Sequence, residues 1–135
     1  MTAALVPELY VTDLDASLAF YCGLLGFGVH YQREEDRFAY LKRGGAELML
    51  EEPGERTWLT GDLQQPFGRG VNFQIMVDNV SALFATCLSA GANIYLPLET
   101  RTYRRRDEML SQTQFLVQDP DGYLIRLAEI REPTV

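Results

Sequence analysis

The chain has little of what metal centres and disulfide frameworks are built from. Its 135 residues include one histidine and two cysteines. A single imidazole excludes a multi-histidine metal site. Cys22 and Cys87, both in segments with a helical pattern, cannot make a disulfide scaffold and suit a reducing compartment. Without a well-placed histidine to activate them, they read as helix packing rather than nucleophiles. Positive charge is also scarce. Twelve Lys and Arg face nineteen Asp and Glu, for a formal charge of −7. Nucleic acid is therefore not the expected partner, because phosphate backbones need a basic surface. No apolar run approaches the ~18 residues that span a bilayer, and the N-terminus lacks the basic-then-apolar order of a secretion signal. A cytoplasmic protein with no membrane contact is expected.

What is present is a repeat. Val11-Thr12-Asp13 leads into a helical pattern that ends near Gly26, and Val77-Asp78-Asn79 leads into one that ends at Gly91. Each copy then runs through extended segments and closes on a glycine turn and an apolar strand, at 44–50 and again at 121–127. The first copy occupies about 4–52, a connection about 53–69 and the second copy about 70–130. One domain of two modules is expected at this length.

Within each copy the apolar spacing assigns elements. Leu14, Leu18, Tyr21 and Leu25 form one helical stripe, with Asp13 as N-cap. Val80, Phe84, Cys87 and Leu88 form the second stripe, after Asn79. Period-two alternation marks strands at 6–11, 27–33, 37–42, 46–51, 71–77, 93–98, 113–118 and 123–129. Asp119-Pro120-Asp121-Gly122 is a strong turn signal. The polar stretch from Glu99 to Gln112 reads as a long connection. The fold class is α+β, two tandem β-α-β-β-β modules.

The run Val11-Thr12-Asp13-Leu14 with Ser17, the segment from Phe20-Tyr21 to Leu25-Gly26-Phe27, and Gln118-Asp119-Pro120-Asp121-Gly122-Tyr123 together resemble the glyoxalase, bleomycin-resistance and extradiol-dioxygenase group, the vicinal oxygen chelate superfamily. The resemblance covers nearly the whole chain. It implies a pseudo-symmetric, barrel-like curved sheet with helices outside, enclosing a cavity, and a homodimer. It also implies where metal-dependent members place their ligands. Those four places hold Val6, Met49, Asn72 and Arg126, none of them a His, Asp or Glu. Arginine has no lone pair to give a metal. No metal and no cofactor are expected.

The same alternation turns Glu8 and Tyr10 to the cavity side of the first strand, Phe38 and Tyr40 of the third, and Glu47, Met49 and Glu51 of the fourth. Asn72, Gln74, Gln114 and Arg126 follow from the second module. Rings, amides and carboxylates together suit a planar, cationic ligand. Arg126 is either the neutralising partner of Glu8 or a ligand contact. Trp58 covers the cavity or packs on a second subunit. Tyr103 lies in the Glu99–Gln112 stretch, as a binding or a solvated residue.

The resemblance therefore implies a small-molecule binding protein of the bleomycin-resistance type, sequestering an antibiotic-like ligand rather than turning it over. Candidate ligand-binding residues are Glu8, Tyr10, Phe38, Tyr40, Glu51, Trp58, Asn72, Gln74, Tyr103 and Arg126. Two alternatives stay open. One is a metal-dependent lyase or dioxygenase with ligands displaced to Glu8, Glu47 or Glu51. The other is a metal-free acid–base enzyme using Glu8.

Overall fold

The computed structural model describes residues 2–131. The chain divides into two compact units between Phe67 and Gly68. Each is α+β and carries one open, mixed four-stranded sheet.

In the first unit the elements are β1 (Glu8–Tyr10), α1 (Leu14–Leu18), β2 (Gly28–Arg33), β3 (Phe38–Arg43) and β4 (Ala46–Glu51). The sheet order is β1-β4-β3-β2, with β1 parallel to β4 and the other pairs antiparallel. Asp13 caps α1 by accepting from the Asp15 N–H. The helix then widens into a π-type turn over Ala19–Leu24, and Gly26, at φ 84°, ends it in a conformation that favours glycine. Leu14, Tyr21 and Leu25 of the expected stripe are buried; Leu18 is half-buried. They cover the sheet face formed by Leu9, Ala39, Leu41, Leu48 and Leu50, all buried. Alternation therefore leaves Glu8, Tyr10, Phe38, Tyr40, Glu47, Met49 and Glu51 on the other face.

The second unit repeats the plan. It holds β5 (Asn72–Met76), α2 (Val80–Ser89), β6 (Asn93–Arg105), β7 (Glu108–Gln118) and β8 (Leu124–Arg131), ordered β5-β8-β7-β6 with β5 parallel to β8. Val80 and Cys87 are buried, and the Phe84 ring meets Phe115 at 5.2 Å. Ile75, Phe115, Val117, Ile125 and Leu127 make the helix-side core. Each such side chain contributes about 1.5–3 kcal/mol through burial. The β7–β8 turn works as its sequence suggests: Asp119 Oδ1 accepts from the N–H groups of Asp121 and Tyr123, and Gly122 sits at φ 98°.

The register makes the repeat concrete. Val11 N–H donates to Glu51 O and Val77 N–H to Ala128 O, both at 2.9 Å. Counting from those bonds, Glu8 corresponds to Gln74, Met49 to Arg126 and Glu52 to Glu129. In each unit the last of these glutamates accepts from the first N–H of the helix: Leu14 to Glu52 at 2.8 Å, Val80 to Glu129 at 3.1 Å. A carboxylate there satisfies an orphan donor and meets the positive end of the helix.

Two expectations are corrected. Glu99 to Gln112 is not a connection; β6 and β7 pair through it, from Glu99↔Gln114 to Arg105↔Glu108. Leu88 does not face inward but is 59% exposed, because the α2 contact runs through Val80, Phe84 and Cys87.

Candidate functional site

On the face of the first sheet turned away from α1, the register lays side chains in two rows. Tyr10, Glu51, Phe38 and Arg33 form one; Glu8, Met49, Tyr40 and Tyr31 form the next. Rings gather at the β2–β3 end. Tyr31 stacks on Tyr40 at 5.3 Å and 20°, and lies 5.9 Å from Phe38. An irregularity between Val29 and Tyr31 brings the His30 ring within 5.6 Å of Tyr40 as well. The Arg33 guanidinium sits 4.0 Å over the Phe38 ring, a cation–π contact. Phe38 and Tyr40 are buried, whereas Tyr31 is 45% exposed.

At the β1–β4 end lies a cavity of about 810 Å³, lined by Glu8, Tyr10, Arg33, Arg37, Glu51 and Trp58 and by residues of the 34–36 and 52–57 turns. Burial pushes the Glu8 carboxyl above the usual carboxylate range. The neighbouring Glu51, by its charge and as a hydrogen-bond partner, raises it further, and Tyr10 and Arg33 oppose this. The Tyr10 hydroxyl in turn accepts from the Trp58 N–H at 3.0 Å. Arg37 is occupied elsewhere: it bonds Glu52 at 3.0 Å and lies 3.4 Å from Asp15. Arg33 is paired with Asp36 at 3.0 Å. Glu8 and Glu51 are thus carboxylates that the local arginines do not neutralise by a direct ion pair among the described residues.

Glu47 is not a free cavity acid. Its Oε1 accepts from the Tyr40 hydroxyl at 2.6 Å and its Oε2 from the Ala3 N–H at 3.0 Å. Those bonds hold Glu47 below the usual carboxylate range, and burial together with Glu47 raises the Tyr40 phenol above its ordinary value.

In the second unit Asn72, Gln74 and Arg126 share the face turned away from α2, with Arg126 opposite Gln74 on β5 and Leu116 on β7. A chain of amides crosses this face. Gln112 donates to Gln74 at 3.2 Å and to Gln114 at 2.7 Å, and Gln114 donates to Glu99 at 2.9 Å. Tyr103 stands on the β6–β7 hairpin opposite Leu110, 39% exposed.

Of the ten candidates, Glu8, Tyr10, Glu51 and Trp58 line one cavity. Phe38 and Tyr40 belong to the adjoining ring cluster. Asn72, Gln74 and Arg126 form a group in the second unit, and Tyr103 stands apart on its hairpin. Sequence reasoning missed Tyr31 and Arg33, although their pairing with Tyr40 and Phe38 across a 34–36 turn was available from the hairpin register. The implied metal positions do not suit a divalent ion. They hold Val6, Met49, Asn72 and Arg126, and among the described residues no three His, Cys, Asp or Glu side chains come together as a ligand set. Both cysteines are free, and burial pushes their thiols up, away from the reactive thiolate. Among the described residues no helix is long and apolar enough to cross a membrane.

A profile of the Glyoxalase/Bleomycin resistance protein/Dioxygenase superfamily matches residues 3–127. A bleomycin resistance protein from Geobacillus stearothermophilus is 29% identical over 129 residues, 89% of this chain and 91% of that protein. A solved superfamily member from Vibrio splendidus 12B01 is 38% identical, covering 92% of this chain and 95% of its own, at a TM-score of 0.44. TioX from Micromonospora sp. ML1 shares the fold at a TM-score of 0.74, with 24% identity over 94% of this chain and 98% of its own.

Proposed function

We propose that this chain, which belongs to the Glyoxalase/Bleomycin resistance protein/Dioxygenase superfamily, is a binding protein that sequesters a planar, cationic small molecule of the bleomycin type without a protein-held metal. The observation that carries this reading is the placement of Glu8 and Glu51 on the same sheet face as the Tyr31, Phe38 and Tyr40 rings. Rings accept a planar group by stacking, and partly desolvated carboxylates accept a cation in charge-assisted hydrogen bonds. Trp58, 74% exposed on the cavity rim, would close over such a ligand. Such capture needs complementarity and no bond-making. The named relative points the same way, being a bleomycin resistance protein. A cytoplasmic homodimer is the assembly this reading expects.

Bleomycin titrated by calorimetry, with Trp58 fluorescence followed in parallel, tests it. Binding should survive a chelator, and Phe38→Ala should weaken it by about tenfold or more, the loss expected for a buried stacking ring. Heat and fluorescence unchanged by bleomycin, or binding that a chelator abolishes, would sink the proposal.

A further inference from the structure

We propose that the first-unit cavity captures its ligand by exchange: Glu8 and Glu51 share one proton, an entering cation displaces it, and pH thereby sets whether the ligand is held or let go. The exchange controls the cavity of the first unit and rests on the reading that its ligand is cationic.

The register brings the two carboxyls together. Glu8 stands opposite Met49 and Tyr10 opposite Glu51 on parallel strands, so Glu8 and Glu51 are diagonal neighbours on the face turned away from α1. Both line the cavity. They act as hydrogen-bond partners. Two carboxyl groups bond each other only if one carries a hydrogen, since an ionised carboxylate has acceptors alone. Two negative charges this close also repel in a partly desolvated site. One proton between them meets both demands. Tyr10 supports the arrangement from the side. Its hydroxyl oxygen accepts from the Trp58 N–H at 3.0 Å, which leaves the hydroxyl hydrogen for Glu8.

The surroundings supply no substitute cation. Arg33 of β2 acts on Glu8 through its charge, but its guanidinium is paired with Asp36 at 3.0 Å and lies over the Phe38 ring. Arg37, just before β3, bonds Glu52 and faces Asp15. The loop after β4 brings Arg56 together with Glu52 and Glu55, and the 34–36 turn brings Glu35 and Asp36. Met49 and Phe38, the strand neighbours of the pair, are uncharged, and Glu47 further along β4 is bound to Tyr40. Six carboxyl groups thus meet three guanidinium groups around the cavity. The surplus draws a cation in. Burial, and then Glu51, keeps the proton on Glu8 until one arrives.

The exchange balances. The singly protonated pair carries one negative charge. A monocation enters, one proton leaves to water, and two ionised carboxylates remain around the ligand, so the net charge of the site is unchanged. Affinity therefore rises with pH by at most about tenfold per unit up to the folded titration of Glu8, and levels off above it. Acid releases the ligand.

Carbon-13 spectra of protein labelled at its glutamate carboxyls test the pair, with Glu8 assigned by through-bond correlation to the backbone. Without ligand, Glu8 should titrate above the other glutamates, and Glu51→Gln should bring it down. One pH unit below the Glu8 midpoint, bleomycin should drive the Glu8 signal to its ionised position. Calorimetry in two buffers of different ionisation heat should then find about one proton more released by wild type than by Glu8→Gln. A Glu8 titration unmoved by Glu51→Gln overturns the shared proton. Bleomycin that binds yet leaves Glu8 protonated overturns the exchange while the binding reading stands. Bleomycin that binds at no pH overturns that reading and the exchange with it. Should Glu8→Gln fail to fold, the wild-type Glu8 signal decides the question.

Discussion

Glu52 and Glu129 perform one task in two places: each carboxylate, at the end of its unit's parallel strand pair, accepts the first N–H of the following helix. They differ in company. Glu52 also holds Arg37 at 3.0 Å, tying the 34–36 turn to the start of α1. Glu52→Ala should therefore lower unfolding free energy by about 1–2 kcal/mol, and Glu129→Ala by about 1 kcal/mol or less. Urea denaturation of both variants gives the comparison. Equal losses would mean that Arg37 adds nothing.

Removing the Tyr40 hydroxyl should expose its bond to Glu47. Glu47 is held below its ordinary range, so its contribution to stability is present above the unfolded carboxylate value and lost as pH falls through the folded one. Tyr40→Phe should lower the thermal midpoint near neutral pH, and progressively less in acid. Thermal melts across pH 2–7 would show the two curves converging; parallel curves would contradict it.

Glu8 has the opposite sign. Its folded carboxyl titrates above the ordinary range, chiefly through burial and then through Glu51. The native state therefore binds the extra proton, and stability falls as pH rises from the unfolded value through the folded one. Glu8→Gln should raise the midpoint of thermal unfolding at neutral pH, with the gain shrinking as the solution is acidified below the carboxylate range. The same variant should bind bleomycin more weakly. A variant that is less stable at pH 7 contradicts the sign.

Gly68 admits no side chain. It lies at φ 72°, and a Cβ built there comes within 2.5 Å of the buried Tyr123 ring. Gly68→Ala should destabilise by about 1–3 kcal/mol from overpacking, with backbone strain added. Guanidinium unfolding followed by circular dichroism measures it, and an unchanged midpoint would show that Tyr123 can move aside.

Much of this architecture is legible in the residues. The β4 boundaries, Ala46–Glu51, coincide with its alternation, and both helix caps follow from Asp13 and Asn79. Such elements have one face against a core, and burial writes a period into the sequence. The β6–β7 hairpin does not. Residues 100–109 are exposed on both sides, so no apolar alternation marks them, and Tyr103-Arg104-Arg105-Arg106 reads as a loop. The edge strand β2 is legible at 27–33 even though all six of its residues, Gly28–Arg33, are exposed. Tyr31 and Arg33 were overlooked because their roles come from Tyr40 and Phe38 across the hairpin, a relation that propensity does not encode. Glu47 was legible as a carboxylate on the right face, but its capture by Tyr40 and Ala3 depends on a bond only coordinates reveal.

Glu8 and Gln74 occupy equivalent seats in the repeated frame, with side chains of the same length. Oxygen at the tip of one makes a carboxyl that holds its proton more tightly beside Glu51; the amide nitrogen at the tip of the other donates to the Met76 sulfur, opposite a guanidinium. A duplicated scaffold can in this way acquire opposite polarity in its halves by exchanging a carboxylate for its isosteric amide, while both helix-side cores stay as they are.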